Sequence, residues 1–181
     1  MPKDSLWASK ISSMFTTILD IPRGKIFLAK TDKGLSFATF VKNQNKLREI
    51  RGEFKKKGIP FELNDKRFRE EEKLFKRYFE GEKEDFTSLT LDFISGTPYQ
   101  RRVWLEARKI PYGQTATYKS LARKLKHKGY RSVGQAMGRN PLLIIIPCHR
   151  VVGSDGSLTG FGLGLEFKEY LLRLEKGETP A

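Results

Sequence analysis

The stretch TPYQRRVWLEARKIPYGQTATYKSLARKLKHKGYRSVGQAMGRNP, residues 97–141, decides the fold. Its first residues fit a capping box, with Thr97 as N-cap, Pro98 at the first helical position and Gln100 reaching back to the cap. The helix is expected to run to Ile110, to bury Val103, Trp104, Ala107 and Ile110, and to stop before Pro111. A second helix, capped near Thr117, carries Leu121, Ala122 and Leu125. A turn through Lys128-Gly129 then leads to a third helix, YRSVGQAMGRN, halted by Asn140-Pro141. Two short helices about a glycine-containing turn read as a helix-turn-helix, a pattern shared with hairpins that never touch nucleic acid. Ser132, Gly134, Ala136 and Gly138 leave one side of the third helix nearly bare, open either to another backbone or to close packing on the second helix. Arg131 stands where a recognition helix offers side chains to base edges.

The same region holds most of the charge. Residues 98–150 carry twelve Lys and Arg against Glu106 alone, in a chain of net charge +14. That concentration is the electrostatic footprint of a phosphate-backbone partner, whereas Lys55-Lys56-Lys57 reads as an ordinary solvated face. At 181 residues the chain is long enough for one large domain or two small ones. Its longest aliphatic run, Leu142 to Ile146, is far short of the roughly 20 residues of a membrane span. The opening MPKDSLWASKISSMF lacks the apolar run and cleavage site of a signal peptide, so an intracellular, cytoplasmic protein is expected. One cysteine excludes an internal disulfide, and with two histidines it argues against a structural zinc site; neither a metal nor a cofactor is expected.

Residues 1–92 read as an α/β supporting domain with a small antiparallel sheet. MFTTILDI, KIFLAKTD and LSFATFV are strands separated by turn residues, and IPFELN is a possible fourth. NKLREIRGEFKKKG spaces Leu47, Ile50 and Phe54 as a helix. DKRFREEEKLFKRYFEGE does the same with Phe68, Leu74, Phe75, Tyr78 and Phe79. Residues 93–181 read as a mainly helical domain carrying the helix-turn-helix, a winged-helix-like DNA-binding element.

The lone thiol lies in NPLLIIIPCHRVVGSDG, residues 140–156. LLIII is expected to be a buried strand that leaves its sheet at Pro147, so that Cys148 emerges at a strand end. An isolated cysteine is usually a small buried hydrophobe. Here His149 and Arg150 adjoin it, and cationic surroundings lower a thiol's pKa. Neighbours in extended chain face opposite ways, so His149 is expected to reach Cys148 through a water unless the turn is tight. The last helix, LEFKEYLLRLEKG, buries Phe167, Tyr170, Leu171 and Leu174. Glu175 borders that stripe, either to orient a histidine or as an ordinary last-turn surface glutamate.

IPCHRVV, Ile146 to Val152, resembles the active-site signature of the O6-alkylguanine-DNA alkyltransferases, or methylated-DNA–protein-cysteine methyltransferases. PYGQTATYKSLA, RSVGQAMGRNP, IPCHRVVGSDG and LEFKEYLLRLE follow in that family's order, so the resemblance covers about Thr97 to Glu175. It implies that Cys148 takes the alkyl group from O6 of a flipped-out guanine, with His149 as base through a water and Glu175 orienting it. Asn140 would link the recognition helix to the active-site turn. Tyr118 would rotate the nucleotide and donate to the leaving guanine, and Arg131 would fill the gap in the base stack. Ser132, Gly134, Ala136 and Arg139 would lie on the DNA, with the helix in the minor groove. Pro147, Val151, Phe161 and Gly162 would line the pocket. The implied partner is double-stranded DNA containing O6-alkylguanine, with no obligate protein partner, for a monomer acting once per molecule. Phe161 stands where many relatives have tyrosine, Leu163 follows Gly162 where a small residue is frequent, and the cysteines that hold zinc in certain relatives are missing. Two other readings remain from the residues: a lesion-sensing DNA binder with an incidental thiol, and a cysteine hydrolase using Cys148, His149 and Glu175.

Overall fold

The computed structural model describes residues 13–126 and 129–178. The chain forms two compact units. One is built from the chain up to Lys76 together with Phe86–Ser95, the other from Arg77–Asp85 together with the chain from Gly96 onward. Residues 77–85, counted by sequence with the first domain, thus pack as part of the second unit.

In the first unit, β1 (Met14–Ile21), β2 (Gly24–Thr31) and β3 (Gly34–Val41) form the antiparallel meander that the turn residues predict. The sheet is mixed, however: after α1 (Gln44–Lys56), strand β4 (Phe61–Leu63) returns parallel to β1, giving the order β3-β2-β1-β4. A helix between β3 and β4 supplies the crossover that two strands running the same way require. Asn43 caps α1 by accepting from the Lys46 N–H, and its predicted stripe of Leu47, Ile50 and Phe54 is buried. These residues pack with Met14, Phe27, Ala29, Val41 and Ile59 into one apolar cluster, with Phe54 against Phe27, Phe37 and Phe61. A short 3₁₀ turn, Asp65–Phe68, leads into α2 (Arg69–Phe79), whose last three residues belong to the second unit; Leu74, Phe75, Tyr78 and Phe79 are buried as the periodicity predicts.

In the second unit α3 (Pro98–Ala107) has the expected capping box. Thr97 Oγ1 accepts from the Gln100 N–H, and Gln100 Oε1 accepts from the Thr97 N–H at 2.8 Å. Ile110, beyond the helix end, is buried as predicted. β5 (Ala116–Thr117) precedes α4 (Tyr118–Lys124), where Thr117 and Ser120 make a second reciprocal cap. α5 (Tyr130–Gly138) completes the helix pair; the turn residue Lys128 lies outside the described residues. Trp104, nearly fully buried, donates Nε1–H to the Ala136 carbonyl at 2.8 Å and so fastens α5 to α3. β6 (Val151–Val152) pairs in parallel with β5, which brings the start of α4 beside the chain that follows the cysteine. α6 (Leu165–Glu175) closes the unit. Among the described residues no helix is long and apolar enough to cross a membrane.

Candidate active site

The run Leu142–Ile146 is a tight loop, not the strand that its aliphatic character predicts. Ile144 has φ 73°, a left-handed conformation costly for a β-branched residue, and the Ile146 N–H donates to the Leu142 carbonyl at 2.9 Å. The Asn140 side chain holds the loop. Its Oδ1 accepts from the Leu142 N–H at 2.9 Å, and its Nδ2 donates to the Ile146 carbonyl at 2.8 Å and to Cys148 Sγ at 3.3 Å. One amide therefore joins the end of α5 to the loop and to the sulfur. Pro147 and Cys148 are buried at the loop exit.

Cys148–Arg150 then form a single 3₁₀ turn. The turn sends the three side chains in different directions. His149 is fully buried, with Nε2 2.7 Å from Glu175 Oε1 and Nδ1 buried without a protein partner. Arg150 bonds the same carboxylate, Nε to Oε2 at 2.9 Å and Nη2 to Oε1 at 3.1 Å. Its Nη1 reaches Asp85 Oδ1 at 2.7 Å and the Ile110 carbonyl at 2.6 Å. The Gly113 N–H and the Tyr78 hydroxyl complete the shell of Glu175, at 3.1 and 2.7 Å. Glu175 is therefore a buried hub, and the surface alternative does not apply.

The electrostatics follow from this packing. Burial alone would raise the Glu175 pKa, but the hydrogen bond from His149 and the Arg150 charge hold it down to about 2. His149 is pushed below its ordinary value by burial, against the pull of Glu175, so the imidazole rests neutral. Burial pushes the Cys148 thiol up, while the Asn140 hydrogen bond and the Lys168 charge pull it back. Arg150 does not supply the cationic neighbour that its place in the sequence implies, because its guanidinium is spent on Glu175, Asp85 and Ile110. The cation that acts on the sulfur is Lys168.

Nothing in the sequence marks Lys168, between Phe167 and Glu169, as a site residue. It is fully buried, and its Nζ donates to the Val151 carbonyl at 2.6 Å and to the Thr159 carbonyl at 2.9 Å. It thus ties α6 to the chain on either side of Gly153–Ser157. The Tyr118 hydroxyl donates to the same Thr159 carbonyl at 3.2 Å, and burial raises its pKa. Val151 is buried beside β5; Phe161 is half-buried and Gly162 exposed on the loop before α6. Tyr78 reads from the sequence only as part of an apolar stripe and Asp85 carries no local signal, yet one bonds Glu175 and the other Arg150.

On α5 the small residues do not share one face. Ala136 is buried with Val133 and Met137, contrary to its expected place on the bare side. A Cβ built at Gly134 would lie 3.9 Å from the Tyr118 ring, an ordinary contact, so the second helix leaves room for a side chain at this position. Ser132 is half-buried; its hydroxyl lies 2.8 Å from the Tyr99 hydroxyl and bonds the Gly129 carbonyl at 2.7 Å. Arg131 and Arg139 are exposed at the two ends of the helix. Among the described residues no group of three or more His, Cys, Asp or Glu is arranged to hold a metal ion.

Comparison with known proteins agrees across both units. Residues 14–93 match the model of a 6-O-methylguanine DNA methyltransferase ribonuclease-like domain, and residues 98–177 that of a 6-O-methylguanine DNA methyltransferase DNA-binding domain. A methylated-DNA–protein-cysteine methyltransferase of Methanosarcina barkeri is 43% identical over 90% of this chain and 98% of its own. The crystal structure of the Mycobacterium tuberculosis O6-methylguanine methyltransferase superposes with a TM-score of 0.75 at 34% identity, covering 93% of this chain and 96% of that one. A structure from the same organism in complex with DNA gives 0.73 at 33%, with the same coverage.

Proposed function

Since the chain belongs to the family of the methylated-DNA–protein-cysteine methyltransferases, we propose that Cys148 is the atom that receives the alkyl group and that its neighbours divide the proton chemistry among them. The protein repairs DNA by transferring an alkyl group from guanine O6 to a cysteine of its own. The observation that carries the assignment is elementary: the chain has one cysteine, its sulfur accepts from the Asn140 amide, and the next residue in the chain is a buried, neutral histidine paired with a fixed carboxylate.

The step is a displacement at saturated carbon. A sulfur–carbon bond forms as the carbon–O6 bond breaks, and the electron pair of the latter leaves on the purine. A thiolate suits this step because it is soft and polarizable. The thiol begins protonated, as burial requires, and its proton passes through a bridging water to His149 Nδ1. The imidazolium so formed lies beside the Glu175 anion. Asn140 Nδ2 and Lys168 stabilise the sulfur while it carries charge. Tyr118 gives up its bond to Thr159 and donates its hydroxyl proton to the departing guanine, which balances the proton taken from the thiol. A thioether is a poor leaving group, so each molecule acts once, without a cofactor.

The target base is inside a duplex and must be flipped out, at a cost of about a few kcal/mol. Arg131 fills the space it leaves, with Arg139 on the backbone and Ser132 and Gly134 on the minor-groove side; buried Ala136 supports the helix from beneath. Pro147, Val151, Phe161 and Gly162 line the pocket for the flipped base. Residues 93–181, with Arg77–Asp85, carry binding and catalysis, and residues 1–92 otherwise support them. The protein acts as a cytoplasmic, DNA-associated monomer on double-stranded DNA containing O6-alkylguanine, with O4-alkylthymine a second candidate base.

The test is intact-protein mass spectrometry after mixing equimolar protein with duplex DNA containing one O6-methylguanine. A gain of one methyl group mapped to Cys148, absent from Cys148→Ala, is the expected result. No gain, with DNA binding intact, would leave a lesion sensor as the better account.

A further inference from the structure

We propose that Tyr78 is a positioning residue for alkyl transfer: its phenol, delivered by the segment Arg77–Asp85, fixes the Glu175 carboxylate against His149 so that the imidazole offers Nδ1 as proton acceptor. The proposal rests on the alkyl-transfer reading of Cys148.

Tyr78 is fully buried near the end of α2. Its hydroxyl donates to Glu175 Oε1 at 2.7 Å and lies 3.4 Å from His149 Nε2, which is itself 2.7 Å from the same oxygen. The other carboxylate oxygen is held by Arg150 Nε and the Gly113 N–H. With donors on both oxygens the carboxylate can neither rotate nor take up a proton easily. An ionised carboxylate only accepts hydrogen bonds, so the nitrogen facing it must be the protonated one. Nε2–H therefore points at Glu175 and Nδ1 keeps its lone pair, and Nδ1 is the buried nitrogen without a protein partner.

The tyrosine ring cannot swing away from this duty. It packs edge-on against Phe79 and Tyr112, at centroid distances of 5.2 and 5.9 Å. A phenylalanine would fill the same volume without placing a hydroxyl in the interior, where an unpaired polar group is costly. The hydroxyl is there as a donor. Burial and the Glu175 charge raise its pKa well above the usual phenol range, so it keeps its proton at working pH.

The groups that bear on His149 are Glu175 and Lys168 from α6, Arg150 and Cys148 from its own turn, and Tyr78 from the end of α2. Tyr78 alone among them tunes the Glu175 acceptor while remaining neutral. A hydrogen bond donated to Oε1 lowers the charge left there to attract an imidazolium. The phenol thus keeps His149 a neutral base, while the histidine stays acceptor enough to take the thiol proton. Asp85, from the same segment, neutralises the far side of Arg150 and leaves that guanidinium in place for Glu175.

The experiment compares the full-length protein with Tyr78→Phe and with a protein carrying 3-fluorotyrosine at position 78 alone. Two quantities are read. One is the single-turnover rate of methyl transfer from duplex DNA holding one O6-methylguanine, from about pH 5 to about pH 9. The other is the His149 titration by NMR in the absence of DNA. Tyr78→Phe is expected to raise the His149 pKa by about one, to move the acid limb of the rate profile up with it, and so to slow transfer about tenfold on the acid side of that limb and only a few-fold near neutral pH. DNA affinity should not change. The fluorinated phenol keeps shape and hydroxyl but donates more strongly, so it should move the His149 titration the opposite way. If neither His149 nor the acid limb moves in the two proteins while the wild type is methylated, Tyr78 only fills space and the proposal is wrong. Should Tyr78→Phe fail to fold, the fluorinated protein decides by itself. A wild type that takes no methyl group overturns the alkyl-transfer reading, and the NMR arm still judges the placement of the proton.

Discussion

Asn140→Ala should damage the loop and the sulfur together, and the two effects can be separated. The substitution removes the acceptor of the Leu142 N–H, one of the two donors to the Ile146 carbonyl, and the donor to Cys148 Sγ. Leu142 and Ile146 are fully buried, so water is a poor replacement. An orphaned buried N–H costs about 1–3 kcal/mol and a lost neutral hydrogen bond about 1 kcal/mol, giving about 3 kcal/mol in all. For a chain of this size that lowers the Tm by about 6–12 °C. The left-handed Ile144, tolerated because its surroundings hold it, is free to relax once the amide is gone. Loss of the bond to sulfur raises the thiol pKa, and a thiol whose pKa is higher by about one has about tenfold less thiolate at a given pH. Thermal unfolding, titration of the thiol with an alkylating reagent and single-turnover repair measure these effects. Asn140→Asp keeps an acceptor for Leu142 but turns a donor into an anion beside the sulfur, so it should lose less stability and more rate than the alanine variant. An alanine variant within about 0.5 kcal/mol of wild type and equally fast would refute the reasoning.

Three further outcomes are expected. Arg131→Ala should slow repair of duplex DNA far more than reaction with the free O6-alkylguanine base, which needs no flipping; equal losses would assign the residue to the fold. Glu175→Gln leaves the buried Arg150 charge without its main counter-ion and should cost about 3–5 kcal/mol along with most of the activity; a variant of unchanged stability would show that the ion pair contributes nothing net. Because the Glu175 pKa is depressed from 4.5 to about 2, its contribution to stability is complete above about pH 4.5 and disappears as the pH falls toward 2. Denaturant unfolding across that window should show a steeper loss for the wild type than for Glu175→Gln, and parallel curves would contradict the depressed pKa.

Much of this was legible because it is written locally. The capping box at Thr97, the helix cap near Thr117, the stripes Leu47-Ile50-Phe54 and Tyr170-Leu171-Leu174, and the turns between the first three strands each lie within a few residues. The basic stretch and the lone cysteine in IPCHRVV required only counting. Local signals failed at Leu142–Ile146, where an aliphatic run reads as strand. Burial there comes from a loop that the Asn140 side chain closes, which no periodicity records. They failed again at the parallel β4, since three residues carry no mark of direction.

By itself, then, the sequence determined the helices and most strands, the location of the positive charge and the identity of the only possible cysteine nucleophile. The tertiary structure alone decided which side chains surround that cysteine and the histidine after it. Arg150, two residues from Cys148 in the chain, turns to Glu175 and Asp85, whereas Lys168, twenty residues on, is the cation whose charge pulls the thiol pKa down. Tyr78, Gly113, His149, Arg150 and Glu175 meet on one carboxylate across as much as 97 positions of chain. Backbone propensity acts over a turn or two of chain, while a buried charge must find its donors wherever packing brings them, because inside the protein no water can stand in for them.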